Sequence, residues 1–192
     1  HYRDRRQRQM CIRDSVIMNN NLLIDNPNIV FMGTPSFAVP ILESLVNESY
    51  NIKCVYTQSG KAAGRGMRSK DSPVYEIACK NKLCVRTSEK LNDDDYHFLE
   101  KQDLDIIIVV AYGLILPERF LSIPKYGCIN VHASLLPKWR GAAPIQRSIM
   151  AGDKKTGISF MLMQKGLDTG PILCTEEIQI ADNDNFMTIH DS

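Results

Sequence analysis

Apolar and polar positions follow one another along this chain in short blocks that switch between two periods. Residues 28–32 form an apolar run of strand length, closed by the turn Gly33-Thr34-Pro35. That turn leads into a helix predicted from about residue 37. Val39, Leu42, Leu45 and Val46 fall at helical spacing, and Pro40 sits in the first turn, where a missing N–H is tolerated. Residues 52–57 predict a second strand, 58–72 a polar loop, 73–82 a helix, 83–86 a short strand and 93–101 a helix. Residues 106–111 are wholly apolar and mostly β-branched, which marks a central parallel strand buried on both faces. Strands are predicted at 127–132, 156–163 and 171–180, a helix at 144–151, and a further helix starting near Asn185.

Strands that alternate with helices at this spacing predict an α/β fold. The expected form is a Rossmann-like, mostly parallel central sheet with helices on both faces. The strands after residue 156 are joined by connections too short for parallel crossovers, so they should run antiparallel. In such sheets ligands bind beyond the carboxyl ends of the strands. Three segments lie at such ends: 33–35, 112–114 and 132–141.

Composition narrows the function classes. The 192 residues are 44% hydrophobic and 23% charged, enough for one full-sized core. Net charge is +1, but residues 1–15 hold five Arg and two Asp, so the body is slightly acidic. Any nucleic-acid contact must then come from a local basic patch. The six Cys include no Cys-x-x-Cys pair and read as buried, reduced thiols rather than disulfides or metal ligands. No run approaches the ~20 apolar residues of a membrane span. Residue 1 is His, and the polar, Arg-rich start has no signal-peptide pattern. Residues 1–25 are therefore expected to be a non-native or disordered leader.

The chemistry concentrates at the strand predicted over 127–132. Asn130 and His132 are two apart, so on a strand their side chains share a face. An amide donor and an imidazole at a strand end can polarise a carbonyl and hold an oxyanion. Asp168, between Gly166 and Gly170, would orient His132 and relay a proton. Taken alone, Asn-x-His is more often a turn cap beside a satisfied structural histidine. The Gly-x-Asp-x-Gly loop and the Ser134-Leu135-Leu136-Pro137 turn shift the reading to acyl transfer.

Asn130-Val-His132, Ser134-Leu-Leu-Pro137, Trp139-Arg-Gly-Ala-Ala-Pro-Ile145 and Gly166-Leu-Asp-Thr-Gly170 together resemble the folate-dependent formyltransferases. The resemblance runs from about residue 28 to 192 and includes Ala63-Gly-Arg-Gly66 and Val110-Ala-Tyr-Gly-Leu-Ile-Leu-Pro117. It implies a formyltransferase catalytic domain over 26–192, truncated at its C-terminal end, with a C-terminal tRNA-binding domain absent. It also implies transfer of a formyl group from 10-formyltetrahydrofolate to the amine of initiator methionyl-tRNA, with Asn130, His132 and Asp168 catalytic and no metal. The folate would lie against Tyr112, Gly113, Leu114, Ser134, Leu135, Leu136 and Pro137. The tRNA end would meet Lys61, Gly64, Arg65, Gly66 and Arg140. The loop departs from the family's usual Gln-Pro-Asp start, because Ser59-Gly60 follows Gln58. Trp139 and Arg140 read equally well as RNA contacts or as a packed corner. A cytoplasmic (bacterial or organellar) monomer with no membrane attachment is expected. Two other readings stay open: a formyltransferase for a sugar-nucleotide amine or glycinamide ribonucleotide, which should lack the long Gly-Arg loop, and a non-catalytic RNA- or nucleotide-binding module.

Overall fold

Successive residues of each central strand face opposite ways, and that alternation builds two cores, one on each side of a sheet. The computed structural model describes residues 26–63 and 68–192. The strands are β1 (Asn28–Gly33), β2 (Asn51–Thr57), β3 (Lys61–Ala63), β4 (Arg68–Lys70), β5 (Val85–Thr87), β6 (Ile106–Val110), β7 (Cys128–His132), β8 (Lys155–Leu162) and β9 (Ile172–Gln179). The α-helices are α1 (Val39–Asn47), α2 (Pro73–Lys80), α3 (Asp93–Glu100), α4 (Glu118–Leu121), α5 (Pro144–Met150) and α6 (Phe186–His190).

Val30, Met32, Cys54, Tyr56, Ile107 and Val109 pack on one side with Leu99 of α3 and Phe120 of α4. Phe31, Val55, Val110 and Val131 pack on the other side with Leu42 of α1 and Val74 and Ala78 of α2. The sheet order is β5-β2-β1-β6-β7-β8-β9. Its first five strands are parallel, and β8 and β9 are antiparallel to their neighbours. The register pairs Gly33 with Val110, and Val110 with Val131. The carboxyl ends of β1, β6 and β7 therefore lie side by side, and their loops share one edge of the sheet.

Several elements differ from the sequence expectation. The 58–72 segment is not only a loop: β3 and β4 pair antiparallel, Lys61 opposite Lys70. Its base is pinned by a buried hydroxyl pair, Thr57 Oγ1 to Ser72 Oγ at 2.6 Å. Three-residue strands are too short to show an alternation that a sequence pattern could reveal. A 3₁₀ turn, Ser36–Ala38, precedes α1. Helix α2 stops at Lys80, because Lys82 turns to φ 57° and Leu83 N–H bonds back to the Ala78 carbonyl. Strand β5 consequently starts later than predicted. Helix α4 is too short to show a period. Of the cysteines, Cys54 and Cys128 are buried, whereas Cys79, Cys84 and Cys174 are exposed free thiols, contrary to the uniformly buried reading. Among the described residues no helix is long and apolar enough to cross a membrane.

Candidate active site

Asn130 and His132 end β7, on the strand face that also carries Cys128, and both are nearly buried, at 9% and 8% exposure. Asp168 reaches them from the loop between β8 and β9. That loop folds back sharply because Gly166 and Gly170 take φ 125° and 128°, and Asp168 itself takes φ 47°. A Cβ on Gly170 would run into the Leu162 carbonyl, so only glycine fits there.

The three side chains converge. Asn130 Nδ2 donates to Asp168 Oδ1 at 3.2 Å. His132 Nδ1 lies 3.7 Å from Asp168 Oδ2. The backbone N–H of Gly141 donates to the same Oδ2 at 2.6 Å. The other imidazole nitrogen, Nε2, sits 2.9 Å from the Trp139 carbonyl. A carbonyl only accepts, so Nε2 carries a proton and Nδ1 is left to exchange one.

The turn after β7 holds this arrangement. Ser134 is fully buried; its hydroxyl donates to the Lys138 carbonyl at 2.7 Å and its carbonyl accepts from Ser159 Oγ at 2.6 Å. Leu136 N–H donates to Ser159 Oγ at 3.0 Å, and the Leu136–Pro137 peptide is cis. Leu135 is half-buried and Pro137 exposed. The Trp139 indole is half-buried and its N–H donates to Asp153 Oδ2 at 2.8 Å, which ties the ring into the corner. Arg140 is exposed, and its carbonyl accepts from Arg147 Nη1 at 3.1 Å.

The segment after β6 forms a second rim. The Tyr112 side chain is 1% exposed and belongs to the core, so the surface here is made by Gly113 and by Ile115, which is 89% exposed. Leu114 packs on the core from outside. Lys165 Nζ lies 3.0 Å from Glu118 Oε2, tying the Asp168 loop to this rim. Leu167, 67% exposed, stands beside Asp168. The exposed apolar side chains nearest the trio in the chain are thus Ile115, on the loop after β6, and Leu167, next to Asp168. Gly64, Arg65 and Gly66 lie outside the described residues, as does the side chain of Lys61.

Asp153 and Ser159 also hold the site, and no motif in the sequence marks either of them. For Ser159 the sequence signal is a lone serine between Ile158 and Phe160 in β8; the structure buries it fully. Asp153 is an ordinary loop residue in sequence, and only its contacts distinguish it. The indole of Trp139, and then the Lys138 ammonium, hold its carboxyl below the usual carboxylate range. Among the described residues, no group of His, Cys, Asp or Glu is placed to hold a metal ion. A larger cavity of about 710 Å³ lies on the α1–α2 side, walled by Phe37, Ile77, Ile158 and Ile189, and touches none of the trio.

The formyl transferase family model matches residues 27–192. Over 166 residues the chain is 50% identical to a methionyl-tRNA formyltransferase of Francisella philomiragia, covering 85% of this chain and 53% of that protein. It is 49% identical over 166 residues to the methionyl-tRNA formyltransferase of Francisella tularensis subsp. tularensis, with the same coverage of 85% and 53%. The chain therefore spans about half the length of these curated relatives. Among solved structures it resembles phosphoribosylglycinamide formyltransferase from Anaplasma phagocytophilum, with TM-score 0.72, 21% identity and coverage of 87% and 79% of the two chains. It also resembles a sugar N-formyltransferase from a Shewanella species, with TM-score 0.64, 18% identity and coverage of 87% and 63%. These last two likenesses concern the fold.

Proposed function

Because the chain belongs to the formyl transferase family, we propose that it moves a formyl group from 10-formyltetrahydrofolate to the amine of methionyl-tRNA. The observation that carries this reading is the convergence of Asn130, His132 and Gly141 N–H on the Asp168 carboxylate. It occurs in a chain half identical to methionyl-tRNA formyltransferases.

10-Formyltetrahydrofolate supplies the formyl carbon, bonded to N10. The amine nitrogen forms a bond to that carbon, the carbon–N10 bond breaks, and a proton leaves the amine and ends on N10. The chain's residues lower the barrier in distinct ways. Asn130 spends one amide hydrogen on Asp168 and has a second to aim at the oxyanion that develops on the formyl oxygen. His132, with Nε2 held by the Trp139 carbonyl, carries its exchangeable proton at Nδ1, on the side of Asp168. There it offers a second donor when charged and a base when neutral. Asp168 is fixed by two N–H donors and compensates a positive imidazolium without moving.

The donor would lie along Gly113, Leu114 and Ile115 and against the Ser134–Pro137 turn, its ring on Ile115 and Leu167. The acceptor end of the tRNA would be met by Lys61, Gly64, Arg65 and Gly66 near the β3–β4 hairpin and by the exposed Arg140. Phosphate neutralisation there supplies affinity that an overall charge of +1 does not. The reading includes a monomer acting in the cytoplasm.

The test is a formylation assay of this chain with 10-formyltetrahydrofolate and methionyl-tRNA, with glycinamide ribonucleotide and an amino-sugar nucleotide as competing acceptors. Transfer to methionyl-tRNA above the other two supports the reading. Transfer only to one of the small acceptors replaces it.

A further inference from the structure

The corner at residues 138–143 holds both His132 and Asp168, and one carboxylate outside the site holds the corner. Trp139 adopts φ 57°, a conformation that a bulky aromatic residue seldom takes without support. Its indole N–H is gripped by Asp153 Oδ2 at 2.8 Å, while Lys138 Nζ sits 3.0 Å from Asp153 Oδ1. The Arg147 guanidinium lies 5.8 Å from the ring centroid on another side. The backbone leaving this anchored ring places the Trp139 carbonyl 2.9 Å from His132 Nε2 and, two residues on, the Gly141 N–H 2.6 Å from Asp168 Oδ2.

We propose that Asp153 is a positioning residue of this site: by gripping the Trp139 indole it keeps the Trp139 carbonyl on His132 Nε2 and so fixes which ring nitrogen carries the proton. Asp153 makes no hydrogen bond or ion pair with any member of the trio; its partners are Lys138 and Trp139. It acts through Trp139, and its effect is on the histidine's tautomer and ring orientation. Without the grip, the left-handed Trp139 backbone relaxes, the carbonyl leaves Nε2, and Nδ1 is free to take the proton. The imidazole then presents the wrong nitrogen to the reaction. Lys138, the second partner of Asp153, is exposed on the surface and supports the carboxylate from outside. The inference rests on the formyl-transfer reading for its kinetic part only, because the tautomer is a property of the protein alone.

The experiment compares Asp153→Ala, Asp153→Asn and Trp139→Phe with the parent chain. Asparagine keeps an acceptor for the indole, and phenylalanine keeps the ring but removes its N–H. The direct readout is the pair of imidazole ¹⁵N shifts of His132, which report protonation at Nε2 and Nδ1 separately. Asp153→Ala and Trp139→Phe are expected to lose the Nε2-protonated signature, and Asp153→Asn to retain most of it. In formylation, Asp153→Ala should lower kcat about 10- to 100-fold while KM moves much less, the mark of a misplaced catalytic group. Wild-type ¹⁵N shifts in a folded Trp139→Phe chain would overturn the proposal, as would an Asp153→Asn chain as impaired as Asp153→Ala. Should Asp153→Ala fail to fold, the other two variants decide the matter. A parent chain that formylates no acceptor would overturn the formyltransferase reading, while the ¹⁵N comparison would still test the role of Asp153.

Discussion

Asn130 Nδ2 donates to Asp168 Oδ1 at 3.2 Å, although 38 positions separate the two residues. The bond joins the end of a buried parallel strand to a glycine-framed loop between two antiparallel strands. It makes the carboxylate part of the site's framework, and the same carboxylate also faces His132.

Replacing Asp168 by Asn should reduce formyl transfer by about 10²-fold or more, since an amide cannot balance an imidazolium and sets its NH2 against either the Gly141 N–H or the Asn130 amide. Single-turnover formylation gives the rate, and fluorescence titration gives donor affinity, which should stay close to that of the parent. Full turnover in this variant would remove Asp168 from the chemistry.

In the proposed mechanism, Asn130→Ala would leave the oxyanion one donor short. A drop in kcat of about 10²–10³-fold is expected, with the larger share in kcat rather than KM. If KM alone rises, Asn130 binds substrate in the ground state and does not stabilise the oxyanion.

Gly170→Ala introduces a Cβ where the Leu162 carbonyl already lies, at a φ of 128°. The variant should lose about 1–3 kcal/mol of stability in urea titration. It should also lose activity, because the loop that carries Asp168 must shift. An unchanged midpoint with unchanged rate would mean the loop has room to absorb the methyl group.

The basic stretch before α2 should act through phosphates. Turnover of methionyl-tRNA is expected to fall steeply with salt, and Arg65→Ala should lower the log–log slope by about one without altering donor affinity. A salt-independent rate would count against a polyanionic acceptor.

Burial pushes the Cys128 thiol up to about 12, from an ordinary value of 9.0. Between those values the unfolded chain releases this proton and the folded chain keeps it. Stability contributed by Cys128 is therefore complete below pH 9.0 and declines as pH rises toward about 12. The decline is at most about 1.4 kcal/mol per pH unit for one group. Cys128→Ala should flatten the alkaline limb of a urea-midpoint profile relative to the parent; identical slopes would show that the thiol is not shielded. In the folded chain, the exposed Cys79, Cys84 and Cys174 should react with a thiol reagent well before Cys128.

Much of the architecture was legible because the strands carry their burial in their spelling. Ile106–Val110 is apolar throughout, and it is a central strand with neighbours on both edges and helices on both faces. The antiparallel pairing of β9 on β8 followed from a connection too short for a crossover, whereas the reversal of β8 against β7, across a connection that contains α5, did not. The β3–β4 hairpin and helix α4 were not legible, because three or four residues cannot display a period. Asn130, His132 and Asp168 could be named because an amide, an imidazole and a carboxylate have few joint uses at strand ends and glycine-framed loops. The Tyr112 side chain shows the opposite case: its place in the motif suggested a pocket wall, and the reversal at Gly113, φ 82°, leaves it in the core.

The sequence by itself determined the fold class and placed Asn130 and His132 at a strand end and Asp168 in a glycine-framed loop, because these depend on local period and on residue type. Only the tertiary structure decided how those groups are wired. It put Nε2 of His132 on the Trp139 carbonyl, Asp168 on Gly141 N–H, and Asp153 under the Trp139 indole. Those pairings depend on left-handed backbone turns at Trp139, Gly141 and Asp168. For Trp139 no local preference announces such a turn, and for Asp168 only the mild tolerance of aspartate for it; both are held by contacts from distant elements.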